Sequence, residues 1–153
     1  MEFFDLIREG KLEELKQRVA EDPSLIESKD PKGFPPLILS TYHGQMGVTK
    51  FLIEAGAPIN GRDAAGNTAL MGICFKGNPD LAELLIESGA DVNIQNNSGA
   101  TALIYAVTFG QYDIAEMLVE NGADKSLTDS KGNTAYDHAK NIGSGTLAEI
   151  VRV

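Results

Sequence analysis

The chain has 153 residues, 42% hydrophobic and 23% charged, with a formal net charge of −9 and one cysteine. A chain of this size can bury roughly 70% of the surface it exposes when unfolded, so it needs neither disulfide nor metal to fold, and a single cysteine excludes an internal disulfide. The acidic balance excludes a protein whose main task is to neutralise phosphates, and no run reaches the ~20 apolar residues of a membrane span, so neither nucleic acid nor membrane is expected as a partner.

The first residues, "MEFFDLIREGKLEELK", carry no basic leader and mix charge into the apolar positions, which does not fit a secretory signal. With the low thiol content, this predicts a cytoplasmic location. The stretch "REGKLEELKQRVAEDPSLIESKD" reads as a polar helix pair followed by an extended link, with Glu13, Lys16 and Gln17 on its wet side.

From there a period governs the chain. Glycine recurs at Gly33, Gly66, Gly99 and Gly132, at Gly44, Gly77, Gly110 and Gly143, and at Gly56, Gly89 and Gly122, always 33 residues apart. Apolar residues keep the same step, as in Val48, Leu81, Ile114 and Leu147, and in Leu52, Leu85, Leu118 and Val151. Within residues 63–95, Asp63 and Gly66 supply turn chemistry and Thr68 can cap a helix that Gly77 ends. Asn78 and Pro79 then read as the cap and first position of a second helix, whose apolar face is Leu81, Leu84 and Leu85 and which Gly89 stops. Two such short helices cannot hide their apolar faces alone, so the units must stack.

These residues resemble the ankyrin repeat family, whose period is 33 residues and whose first helix opens on a Thr-Pro-Leu-His run. The corresponding runs here are "FPPLIL", "NTALMG", "ATALIY" and "NTAYDH", and the second helices end in "EAGAPIN", "ESGADVN" and "ENGADKS". The resemblance implies an all-α solenoid of stacked helix-turn-helix units with short hairpin-like loops, in about five repeats. They divide into an N-terminal cap at 1–29, full repeats at 30–62, 63–95 and 96–128, and a C-terminal cap at 129–153, one domain in all. Two caps around three repeats would make a complete small protein, with a bacterial source expected. Three departures stand out: Pro35 replaces the capping Thr, Pro58 replaces the Asp of one ending, and Ile38, Met71, Ile104 and Asp137 replace the His that normally ties loop to helix. That last change puts loop rigidity in doubt.

Chemistry is sparse. His43 and His138 fall at different repeat positions three repeats apart, "IGSG" at 142–145 lacks the strand and Lys of a phosphate loop, and Asp80, Glu83 and Glu87 read as a solvated helix face. Cys74 aligns with Thr41 and Val107, which makes it a small packed residue and not a nucleophile. No catalytic residue, metal ligand or cofactor is expected.

The positions just after Cys74 are different. In the ankyrin family the end of the first helix and the hairpin tips face the concave side of the stack and meet partners. Carried over, this implies a binding surface of Phe34, Tyr42, His43, Asn67, Phe75, Lys76, Thr108 and Phe109. Aromatic residues placed on a surface mark interaction hot spots. The expected function is a non-catalytic, monomeric protein-binding module, with a basic partner suggested by the net charge. An inhibitor or immunity-type protein that covers an enzyme or toxin is the alternative, and an enzyme built on Cys74 and Lys76 is the reading from a different class.

Overall fold

The computed structural model describes residues 1–153. Ten helices follow one another without a strand: α1 (Phe3–Glu9), α2 (Leu12–Glu21), α3 (Pro36–Tyr42), α4 (Met46–Glu54), α5 (Ala69–Lys76), α6 (Pro79–Glu87), α7 (Ala102–Thr108), α8 (Tyr112–Glu120), α9 (Ala135–Asn141) and α10 (Gly145–Ile150). None is long and apolar enough to cross a membrane. Helices of six to ten residues are marginal in water, so their stability comes from tertiary packing.

That packing forms two rows. The inner row runs α1, α3, α5, α7, α9, each helix against the next, while α2 meets α4, α6 meets α8 and α8 meets α10 in the outer row. Each inner helix also packs on the outer helix that follows it. The 33-residue clock is the spine of the core: Leu52, Leu85, Leu118 and Val151 are all 0% exposed.

Local chemistry sets the helix ends. Thr68 accepts a bond from the Met71 amide and Thr101 one from Ile104, and Thr134 forms a reciprocal capping box with Asp137. Pro35 stands at the matching place of α3 with no side-chain cap. Asn78 caps α6 through the Leu81 amide with Pro79 at the first helical position, and Gly77 ends α5 in the left-handed conformation.

The loops are held despite the missing His, because the residue that opens each one binds the loop itself. The Oδ1 atoms of Asp30, Asp63, Asn96 and Asp129 each accept two backbone N–H bonds of 2.9 to 3.0 Å, from the residues two and four places on. Adjacent loops are also linked, by Asn97 N–H to the Ala65 carbonyl at 3.0 Å and Ser130 N–H to the Ser98 carbonyl at 2.9 Å. The loop rigidity questioned from the sequence is thus supplied by an Asx turn.

Two features at the N-terminus differ from expectation. Pro23–Glu27 form a 3-10 turn, with Asp22 accepting from the Ser24 amide, where an extended link was expected. The first helix pair is polar only outside: Leu6, Ile7 and Leu15 are fully buried against the next repeat.

Cys74 lies at 0% exposure inside α5, and burial pushes its thiol pKa far up. Iodoacetamide should therefore modify the native chain at least about a thousandfold more slowly than the urea-unfolded chain, because only the opened state presents the sulfur. Mass spectrometry of timed aliquots reads this out, and rapid native labelling would restore the reactive-thiol reading.

Candidate functional site

Helices of the inner row and the loops that precede them line a groove of about 760 Å³. Its floor is Ile38, Leu39, Met71 and Gly72, and its walls carry Phe34, Tyr42, Phe75, Tyr105 and Phe109. These positions converge because α3, α5 and α7 lie side by side, so residues near 33 places apart become lateral neighbours.

The rings are on the surface, not in the core: Phe75 is 52% exposed, Tyr42 44% and Phe109 43%. Phe75 and Phe109 meet edge to face with centroids 4.9 Å apart, and Phe109 touches Tyr105 at 5.9 Å. On the other side the Lys76 ammonium lies 4.5 Å from the Tyr42 ring centroid, a cation–π contact. Tyr42 in turn stands edge-on to His43 at 5.4 Å.

Charge is distributed unevenly. Arg8, Lys32 and His43 line the groove together with the carboxylates of Asp30 and Asp63, and Lys76 stands over the Tyr42 ring. Arg8 is held by Asp5 at 3.0 Å and Asp30 at 3.2 Å, whereas Lys32 and Lys76 have no carboxylate partner. Partial burial, then the Arg8 and Lys76 charges, hold the His43 pKa below its ordinary 6.5, so this imidazole is largely neutral at pH 7. The acid excess lies on the opposite face, where Glu83, Glu87, Asp113, Glu116 and Glu120 of α6 and α8 border a second, polar hollow.

Of the residues expected from the sequence, Phe34, Tyr42, His43, Asn67, Phe75 and Phe109 line the groove. Lys76 joins it through Tyr42. Thr108 is outside the lining: it is exposed, and its hydroxyl turns back to the Ile104 carbonyl at 2.8 Å. Arg8, Asp63, Gly72 and Tyr105 were not anticipated. The row Leu39, Gly72, Tyr105, His138 carried a signal for Gly72 and Tyr105, since it changes chemistry in every unit while the row Gly33, Gly66, Gly99, Gly132 does not change.

No group of three or more His, Cys, Asp or Glu side chains is arranged to hold a metal ion. His138 Nε2 and Asp129 are 2.7 Å apart, but both serve to close the last loop.

Comparison with known proteins bears on the fold. The family model for ankyrin repeats in three copies matches residues 6–96 and 37–129. The chain belongs to the ankyrin-repeat family. Ankyrin repeats are generally protein–protein interaction modules and typically non-catalytic. Among curated proteins, the human DNA-binding protein RFXANK is 35% identical over 52 residues, covering 34% of this chain and 20% of that protein. The match therefore spans about one ankyrin repeat and a half, and about a fifth of the relative.

Proposed function

We propose that this ankyrin-repeat chain captures one partner protein, without catalysis, through the concave groove built on Phe34, Tyr42, Phe75, Tyr105 and Phe109. The observation that carries this reading is the exposure of three large rings, at 43% to 52%, lining one groove across adjacent inner helices, two of them in edge-to-face contact. Such area costs solvation when free and is recovered only when another surface covers it. Stacked repeats hold the rings in place, so little ordering entropy is lost on binding.

Charge bears on the partner. The net −9 supports a basic one, but the acids concentrate on the outer helices, while the groove itself is mixed: Lys32 and Asp63 line it without an ion-pair partner, Arg8 is paired with Asp30, and Lys76 stands over the Tyr42 ring. Local complementarity at the two lysines favours an apolar segment with acidic neighbours. An inhibitor that plugs an enzyme or toxin would use the same surface, with the groove as its clamp. One buried thiol and the lack of exposed cysteine support residence in a reducing compartment such as the cytoplasm.

The test is a comparison of baits. Wild-type chain should retain a partner protein that Tyr42→Ala/Phe75→Ala loses, since hot-spot rings contribute about 2 kcal/mol or more each, while the melting temperature moves by less than about 3 °C. Full retention by the double variant overturns the choice of face.

A further inference from the structure

The four loops share one bonding scheme, and one of them is left incomplete. In each, Oδ1 of the opening residue takes two backbone amides, so the second side-chain atom is free to bind elsewhere. In the third full repeat, Asn96 Nδ2 donates to the hydroxyl of Tyr105 at 2.7 Å, and in the last unit Asp129 Oδ2 meets His138 at 2.7 Å. Both partners stand nine residues after the residue they tie. In the first full repeat Leu39 occupies that place and Arg8 reaches in from the cap, 3.2 Å from Asp30. In the second full repeat the place is Gly72, and Asp63 Oδ2 has no side-chain or backbone partner.

Gly72 is therefore a vacancy in the row. A Cβ added there would meet nothing within 4 Å, and both Gly72 and Asp63 line the groove between Leu39 and Tyr105. A glycine inside a helix lowers stability, and here no left-handed backbone requires it. What it leaves is unfilled space in the groove lining, to which Met71, Phe75 and Asp63, with its unpaired carboxylate oxygen, also belong.

We propose that this notch is the anchor subsite of the groove, and that its occupant is a tyrosine side chain from the partner protein, the ring packed on Met71 and Phe75 and the hydroxyl donating to Asp63 Oδ2. The proposal rests on the concave-groove reading and adds the chemistry recognised there. The neighbouring repeat supplies a geometric precedent with the hydrogen-bond roles reversed: the Tyr105 ring fills the place and its hydroxyl accepts from Asn96 Nδ2, which also donates to Asn67 Oδ1. An aliphatic anchor would leave the carboxylate unanswered. An acidic anchor would oppose it. A phenol satisfies both the apolar walls and the oxygen, and acidic residues beside it would meet Lys32 and Lys76.

The probe is N-acetyl-L-tyrosinamide titrated into the ¹⁵N-labelled chain, with N-acetyl-L-phenylalaninamide as its counterpart. Amide shifts should converge on Asp63, Gly72 and Phe75, with millimolar affinity suited to so small a ligand and about a tenfold preference for tyrosine, the worth of one hydrogen bond to a charged acceptor. Asp63→Asn keeps the loop, as Asn96 shows, and should cut that preference to about threefold or less, because the charge-assisted bond is gone. Gly72→Tyr should fill the notch from within and abolish the shifts, whereas Gly72→Ala should leave them and raise the melting temperature by about 2 to 4 °C. No shifts at Gly72 in wild type, or equal affinity for the two amides, overturns the proposal even if Gly72→Tyr does not fold. A partner lost by Tyr42→Ala/Phe75→Ala but held at full strength by Gly72→Tyr refutes the notch and leaves the groove standing. A partner kept by the ring variant refutes the groove reading itself.

Discussion

Leu85→Ala is expected to lower the unfolding free energy by about 3 kcal/mol, from the lost transfer energy of the side chain and the cavity left behind. Leu85 is 0% exposed in α6, which packs on α5 of its own repeat and on α8 of the next. A domain of this kind holds about 5 to 15 kcal/mol in all, so one such change removes a large part of it. In a stack where each repeat touches only its neighbours, loss in the middle also weakens the joins on both sides. Phe75→Ala, ten residues earlier but 52% exposed, should cost less than about 1 kcal/mol. Urea titration of both variants measures the difference. Equal losses would mean that Phe75 belongs to the core and not to the binding face.

Gly99→Ala should cost about 3 kcal/mol, and Gly132→Ala, at the same repeat position, only about 1 kcal/mol. Both glycines have positive φ, +73° and +81°, so each substitution carries the left-handed penalty. The difference comes from what lies beyond. A Cβ on Gly99 would stand 2.9 Å from the Ser130 nitrogen and 3.1 Å from Asp129 Cα, while one on Gly132 meets nothing within 4 Å. The crowded atoms are backbone of the next loop, fixed by the Ser130 N–H bond to Ser98, and cannot swing aside. Thermal or urea unfolding of the two variants separates the terms, and matching losses would show that loop stacking adds nothing.

Much of this architecture was readable from residues alone. Thr68, Gly77, Asn78 and Pro79 act within a few residues of where they stand, so their roles as caps and stops follow from local geometry and are found as expected. The same is true of Cys74, whose repeat equivalents Thr41 and Val107 already marked a packed position. The 3-10 turn at Pro23–Glu27 was missed because its polar composition also suits an extended link. Thr108 shares its repeat position with Tyr42 and Phe75 and is exposed beside the groove, but the bond of its hydroxyl to the Ile104 carbonyl is a side-chain detail that the repeat register does not state.

The groove is legible only in part. Exposed rings at Tyr42, Phe75 and Phe109 could be placed by register, since the period states which residues share a face. The pairing of Asp63 with an empty place at Gly72, the contribution of Arg8 from the cap, and the Lys76 stack on Tyr42 could not.

What the sequence determined by itself is therefore the repeat, its helix limits and its buried spine, all set by interactions of short range or by a strict period. What the tertiary structure decided is which side chains meet across repeats and which atom is left without a partner. Those contacts join residues distant in the chain, such as Arg8 with Asp30 and Tyr42 with Lys76, and their distances depend on the reach and rotamer of each side chain after the helices have stacked.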